Sequence, residues 1–463
     1  MGLIPISIED NAAQLVEKIN SNFSKVSVSA GILCSSKYNA VGDGVTDDTD
    51  ALEALFADAY TQKKAVCLEP GTYLIRRSLT LRRAMEIYGI GATITKPAAV
   101  TTTLSASASS GQTYIDVADS SGFNVGDQFF IADYNGSNVR PAAMYCTYGV
   151  VTAINGNRIS FKSCYDSAKA GCVKAHASGR KVCTSFALLR SYSSLGYDYS
   201  CDGVYIHDLT LDGNKVNGEE PEWANSCIHI DPDKGSGPWA HSATGMTFGY
   251  TQRNLHCRNL IIKNSPYDGI SDQGAGGALI ESCRFENCYA NGIHFGTEYD
   301  KAIITGCQFY NCGAAGVFWC DKVNRIIIAN SLFDGCNKGV SDVEYATPVK
   351  HSLVTGNIFK NITSVVFDFS NASVNNTSGY GHVVIANNLV MSANGVVAKL
   401  AKLNYVVFSG NTVCEWGGTA PSYVIHADNI NTAVIANNIC PTATNYVDKD
   451  NVTNLKDVNN SWN

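Results

Sequence analysis

The stretch "IESCRFENCYANGIHF", Ile280–Phe295, is followed by near copies of itself: "ITGCQFYNCGAAGVFW" at 304–319, "IANSLFDGCNKGVSDV" at 328–343 and "VTGNIFKNITSVVFDF" at 354–369. Looser copies continue as "IANNLVMSANGVVAKL" at 385–400, "FSGNTV" at 408–413 and "IANNIC" at 435–440. A glycine followed by Ile or Val recurs at Gly269, Gly292, Gly316 and Gly339, so subtraction gives steps of 23, 24 and 23 residues. A period of this length is that of one coil in a solenoid. Each unit holds short β-rich runs that alternate apolar with polar residues, joined by Asn, Gly and Ser turns. One such unit cannot bury its apolar face, whereas stacked units can. The fold class read from this stretch is all-β, a solenoid of parallel strands.

Register along the coils turns sequence position into distance, because successive rungs rise by about 4.8 Å. Cys288, Cys312 and Cys336 share one repeat position and Cys283 and Cys307 another, which predicts cysteine ladders inside the coil. Asn357, Asn388, Asn411 and Asn438 share a turn position at which side-chain amides bond from rung to rung. The 17 cysteines show no Cys-x-x-Cys spacing and read as reduced thiols of a cytoplasmically made protein, without a zinc site or a disulfide framework. In a chain of 463 residues, 45% hydrophobic and 16% charged residues exclude disorder, and a net charge of −7 argues against nucleic acid as the main partner. No secretory leader and no membrane span is expected.

Nearer the start, "YNAVGDGVTDDTDALEALFADA" (38–59) sets four aspartates before Leu52, Leu55, Phe56 and Ala59, which are spaced as one face of a helix. Asp47 is placed to cap that helix, and Asp48 and Asp50 stand at the positive end of its dipole. With "KKAVCLEPGTYLI" (63–75), this segment resembles the opening of the pectate-lyase-like superfamily of right-handed, single-stranded parallel β-helices. The resemblance implies that the helix plugs the N-terminal end of the solenoid. "DNAAQLVEKINSNFSKVS" (10–27) resembles N-terminal segments of phage tail and tailspike proteins, and 101–165 resembles the small β-insert of many tailspikes. The organisation so implied is a helical virion-attachment segment at 1–28, a β-helix opening with its capping helix at 29–100, a β-insert at 101–165 and the main β-helix at 166–463. The same resemblance implies a virion-associated polysaccharide depolymerase of the bacteriophage tailspike type. Such a protein is a homotrimer, joined to a tail or baseplate protein through its N-terminus and acting on a bacterial polysaccharide, with no nucleic acid, no membrane insertion and no required cofactor.

Aligned coils place Ile228, Ile270, Ile293, Val317 and Val340 inward, then His229, Ser271, His294, Phe318 and Ser341 outward, then Ile230, Asp272, Phe295, Trp319 and Asp342 inward. A second outward row is expected to start at Asp231 and reach Asp368, with Asp321 and Glu344 at strand ends. One face therefore gathers the candidate catalytic residues Asp272, Asp342, Asp231, Asp321, Glu344, His294, His229 and Glu298. Two carboxyls about 5–9 Å apart are what glycosidic hydrolysis requires, and the inward register of Asp272 and Asp342 predicts shifted pKa values. The long connections "NKVNGEEPEWANS" (214–226) and "DPDKGSGPWAHSATGMTFGYTQRN" (231–254) flank this face. They bring Trp223, Trp239, His241 and Tyr250 to the rim as sugar-stacking candidates, joined by Tyr267, Arg253 and Lys322 as substrate-binding residues. Against polygalacturonase-like hydrolases, "YDGISD" (267–272) puts Asp268 on one aspartate of their paired-aspartate strand. Asn291 stands where their histidine would be and Ser226 where their first aspartate would be, which argues against pectin hydrolysis by that mechanism. Three readings remain open at this level: hydrolysis by paired carboxylates, β-elimination with a His, Lys or Tyr base, and a non-catalytic glycan adhesin or structural tail part.

Overall fold

The computed structural model describes residues 31–132, 146–164, 170–191, 201–230, 254–273, 276–296, 299–320, 323–343, 351–370, 381–418, 421, 423–441 and 445–462. The expected attachment segment at 1–28 lies outside the described residues. The repeat closes into coils of three strands each. One coil runs β1 (Ile270–Gln273), β2 (Gly276–Glu281) and β3 (Arg284–Glu286). The next runs β4 (Asn291–Gly296), β5 (Asp300–Thr305) and β6 (Gln308–Tyr310), and the third β7 (Ala315–Cys320), β8 (Asn324–Ala329) and β9 (Leu332–Asp334). A fourth starts with β10 (Lys338–Val343). Each strand pairs in parallel with its counterpart one coil on, and Ile270, Ile293, Val317 and Val340 stand in register as the repeat requires. Among the described residues a 22-stranded sheet supplies two faces of the solenoid and a 13-stranded sheet the third.

The recurrent glycine has a steric reason. Phe285, Phe309, Phe333 and Phe359 form a stack inside the coil, with ring centroids 4.9, 4.6 and 4.6 Å apart. A Cβ on Gly269, Gly292, Gly316 or Gly339 would stand 2.7, 2.5, 2.3 or 2.7 Å from the ring atoms of those phenylalanines in turn. The ring occupies the space that any side chain there would need.

The cysteine and asparagine ladders form as read. Cys283 and Cys307 hold the turn position that Ser331, Asn357, Asn388, Asn411 and Asn438 hold further along, and one bond runs through the series. The Cys307 amide donates to Ser331 Oγ (3.1 Å), and that of Ser331 to Asn357 Oδ1 (2.9 Å). The amides and side-chain Nδ2 groups of Asn357, Asn388 and Asn411 then each donate to the next Oδ1 at 3.0–3.1 Å. Contacts with Cys288 and Cys336, together with burial, drive the Cys312 thiol far above its ordinary pKa, so this ladder is inert filler.

Helix α1 (Thr49–Gln62) buries Leu52, Leu55, Phe56 and Ala59 against the first coils. Asp47 Oδ1 accepts from the Thr49 amide at 3.0 Å. Asp48 turns the other way and accepts from the amides of Val41 (2.6 Å) and Gly42 (3.0 Å), fixing the preceding turn rather than the helix end. The insert is an antiparallel sheet of six strands between Thr101 and Cys183, so it runs past the expected boundary at 165. The reason is the last strand, Lys181–Cys183, which pairs with both Thr101–Thr103 and Gln128–Ile131. The solenoid resumes immediately afterwards, since Leu189–Arg190 pairs with Leu79–Thr80 on one side and with Ile228–His229 on the other.

Replacing Asn388 by Ala removes the acceptor of two Asn357 N–H groups and the Nδ2 donor to Asn411 Oδ1 and Val354 O, leaving Asn411 Oδ1 only the backbone amide of residue 388. The expected loss is about 3 kcal/mol, from buried polar groups at roughly 1–3 kcal/mol each, and urea unfolding measures it.

Candidate functional site

The outward row predicted from the repeat exists and is longer than expected. It runs Arg190, His229, Ser271, His294, Phe318, Ser341, Asp368, Lys399 and His426. Asp368 belongs here, directly beside Ser341, and not to the second outward row in which the sequence reading put it. From Val340 to its partner Phe367 the step is 27 residues by subtraction, longer than the repeat, and this moves the register. Although the row faces away from the coil interior, Arg190 through Asp368 are all buried. On the near side this face is overlaid by the insert: Phe130, Tyr148 and Cys183 cluster with Ala224, Tyr267 and Ala290. Tyr267 is therefore buried beneath the insert rather than offered at a rim, with its ring 6.0 Å from that of Tyr289.

At the middle of the row stand three side chains in line. Asp268, two residues before β1, is fully buried, and its Oδ1 accepts from the Asn291 amide (2.9 Å) and from Asn291 Nδ2 (2.8 Å). Its Oδ2 lies 2.9 Å from Nδ1 of His294 in β4. Nε2 of His294 lies 3.4 Å from Sγ of Cys320, the partly exposed last residue of β7. Phe318 closes one side of the imidazole edge-on, with ring centroids 4.8 Å apart. Burial by itself would push the imidazole pKa down, but the Asp268 carboxylate and then Cys320 more than reverse this, and His294 is pushed up to about 9. Among the described residues no three His, Cys, Asp or Glu groups converge as metal ligands. An in-line arrangement suits proton movement instead.

The other sequence candidates separate clearly. Asp272 and Asp342 face inward in the row of Phe295 and Trp319, as the register required. Asp272 is wholly enclosed, accepts from the Tyr299 hydroxyl at 2.8 Å, and burial pushes it up to about 7 against that bond. The expected pKa shift is thus present, but this carboxyl belongs to the core and has no path to a ligand on the outer face. Asp342 is likewise buried. His229 sits on the same outward row as His294, two rungs away and fully buried. Trp223 has its backbone in a single 3-10 turn, Trp223–Asn225. Asp231, Glu298, Asp321, Glu344, Trp239, His241, Tyr250, Arg253 and Lys322 lie outside the described residues.

Sequence reasoning missed Asp268, Glu222 and Cys320. It took Asp268 only as an alignment match, although the offset of 23 residues to Asn291 places one directly beside the other and brings His294 within reach. It also passed over Glu222, which is quoted in the 214–226 connection. This carboxyl is enclosed between coil and insert, and burial pushes it up to about 8 against bonds from Tyr148 and Cys146 and the charge of Arg190.

Residues 36–218 match the family model "Rhamnogalacturonase A/epimerase, pectate lyase-like", and residues 248–439 match "Right handed beta helix region". The chain is accordingly a right-handed parallel β-helix protein, and its part from 36 to 218 is similar to the pectate-lyase-like family model. Solved structures similar to it include PfbA, a surface adhesin of Streptococcus pneumoniae (12% identity, 93% of this chain and 91% of that one covered, TM-score 0.48). The hyperthermoactive exopolygalacturonase of Thermotoga maritima is similar at 12% identity, with 92% and 91% covered and a TM-score of 0.45. The Gp54 tailspike of Acinetobacter baumannii bacteriophage AP22 is similar at 11% identity, with 94% and 76% covered and a TM-score of 0.33. No curated protein sequence matches the chain. Likenesses this distant extend to coil winding and carry nothing about chemistry.

Because the folded pKa of His294 lies above the ordinary 6.5, its charged pair with Asp268 contributes fully below about pH 6.5 and is lost as pH rises through about 9. Asp268→Asn is expected to lower stability by about 3 kcal/mol at pH 7, as loss of one partner of a buried pair does. The difference from wild type should shrink above pH 9. Chemical unfolding of both proteins at pH 6, 7.5 and 9.5 provides the check.

Proposed function

We propose that the protein is a tailspike-like depolymerase that binds and cleaves a bacterial surface polysaccharide by glycosidic hydrolysis on the face carrying His294. The observation that carries this reading is the His294 imidazole on the outward row, held at 2.9 Å by the buried Asp268, whose charge pushes it up to about 9. A histidine still protonated at neutral pH is a proton donor for a departing sugar oxygen. It is a poor base for taking a proton from a uronate, which sets β-elimination second. Of the paired carboxylates, Asp272 and Asp342 are assigned to the interior and Asp268 to holding His294. The carboxylate that completes the reaction is sought among Asp231, Glu298, Asp321 and Glu344. The trimer, the virion location and attachment through 1–28 rest on the sequence resemblance alone.

Incubation with a panel of bacterial capsular and lipopolysaccharide glycans, followed by size-exclusion chromatography, tests the proposal. Shortened chains with saturated ends are expected, with His294→Gln slower by about 10²–10⁴-fold, the usual worth of a positioned acid. Ultraviolet-absorbing unsaturated ends would overturn hydrolysis in favour of elimination. Unchanged chain length across the panel, with retained binding, would overturn cleavage altogether.

A further inference from the structure

We propose that Cys320, His294 and Asp268 form a nucleophilic relay that removes ester-linked acyl groups from a sugar chain. The sugar part of this substrate class rests on the glycan reading of the face, while the relay itself rests on geometry. Cys320 Sγ lies 3.4 Å from His294 Nε2, and Asp268 Oδ2 lies 2.9 Å from the opposite ring nitrogen. A nucleophile, its proton partner and a third group that orients the partner are thus in sequence, which is the arrangement that activates a thiol. Cys283, Cys288, Cys307, Cys312 and Cys336 sit in ladders within the apolar core, whereas Cys320 ends its strand partly exposed beside a histidine. Asp268 is locked by two bonds from Asn291, so the imidazole it holds is fixed before any substrate arrives.

We assign the role of anion stabiliser to the Gln273 carboxamide. Gly296 pairs with Cys320 across adjacent rungs, and on its other side with Gln273. A Cβ on Gly296 would lie 1.8 Å from the Gln273 carboxamide oxygen and 2.9 Å from its Nε2, so the carboxamide is folded across the bare glycine. Its Nε2 donates one proton to Ser271 Oγ at 3.0 Å and carries a second N–H for a developing oxyanion.

The reaction balances without a further reagent except water. Thiolate Sγ bonds to the ester carbonyl carbon while the carbonyl pair moves to oxygen. The intermediate collapses with cleavage of the bond from carbonyl carbon to sugar oxygen, and that oxygen leaves with the electron pair and takes the proton from His294 Nε2. Water then gives a proton back to Nε2 and its oxygen bonds to the acyl carbon. The carbon–sulfur pair returns to sulfur, and a carboxylic acid departs. In both the glycosidic and the acyl reaction His294 protonates a leaving sugar oxygen, so one imidazole serves either.

The test uses the full chain and p-nitrophenyl acetate, with acid quenching and peptide mass mapping. An acetyl adduct on Cys320 is expected, formed at least tenfold faster than on the exposed Cys414, with a burst of nitrophenolate. In Asp268→Asn the pH at which acetylation fails should move down, because the imidazolium has lost its carboxylate. Gly296→Ala should leave the thermal unfolding midpoint close to wild type, since only the end of a flexible side chain must move, and should slow acetylation severalfold. Equal labelling of Cys320 and Cys414, or a pH profile unmoved in Asp268→Asn and a rate unmoved in Gly296→Ala, would overturn the relay. On chemically O-acetylated dextran, acetate release with wild type and its loss in Cys320→Ser supports the acyl reaction. Cys320 labelling without acetate release would overturn the assignment to sugar esters while leaving the relay. Chain length on the bacterial glycans reports separately on the depolymerase reading.

Discussion

Everything in this molecule depends on a phenylalanine ring lying against a backbone that has no side chain. The stack of Phe285, Phe309, Phe333 and Phe359 occupies the volume above Gly269, Gly292, Gly316 and Gly339, and so fixes where each coil must sit on the last. A coil that slipped by one residue would bring a Cβ into a ring and turn its inward aliphatics outward. Register held this firmly is what lets Asp268 in one coil, His294 in the next and Cys320 in the third meet within hydrogen-bond distance. None of the three is near another in sequence.

The same rigidity explains the charge state of the site. His294 is buried, which on its own would strip its proton, yet it is charged because Asp268 is buried beside it and satisfied from its other oxygen by Asn291. Asp272, one rung from His294 but pointing the opposite way, accepts from the Tyr299 hydroxyl and is pushed toward neutrality by burial. Alternation along a strand thus separates two acidic groups into an ion-pair partner and a core hydrogen-bond acceptor.

Much of this was legible in the residues. Spacing of the Gly–Ile step gave the coils, their inward and outward rows and both cysteine ladders, because each depends on a nearly constant period, while the asparagine ladder was legible from a shared turn position despite steps of 31, 23 and 27 residues. The buried face of α1 was equally plain from Leu52, Leu55, Phe56 and Ala59. Illegible were the features that depend on where the period breaks or on what lies over the coil. Asp368 moved one row because its coil is longer, and Tyr267 proved buried because the insert lies across it. The insert itself ran on to Cys183 because its closing strand is separated from the others in sequence. Cys320 was passed over since cysteine elsewhere in the repeat is filler, and only coordinates distinguish a thiol at a strand's open end from one in a ladder.

The way the insert joins the rod has a consequence of its own. Leu79–Thr80 and Leu189–Arg190 are neighbours in the same sheet, so the chain leaves the winding and returns to it without costing the rod a rung. Arg76 with Asp127, 2.7 Å apart, and Glu220 with Lys181, 2.5 Å apart, fasten the detour to its host. Such a seam behaves as a socket. A different module whose ends lie equally close fits the same seam while the coils downstream keep their alignment.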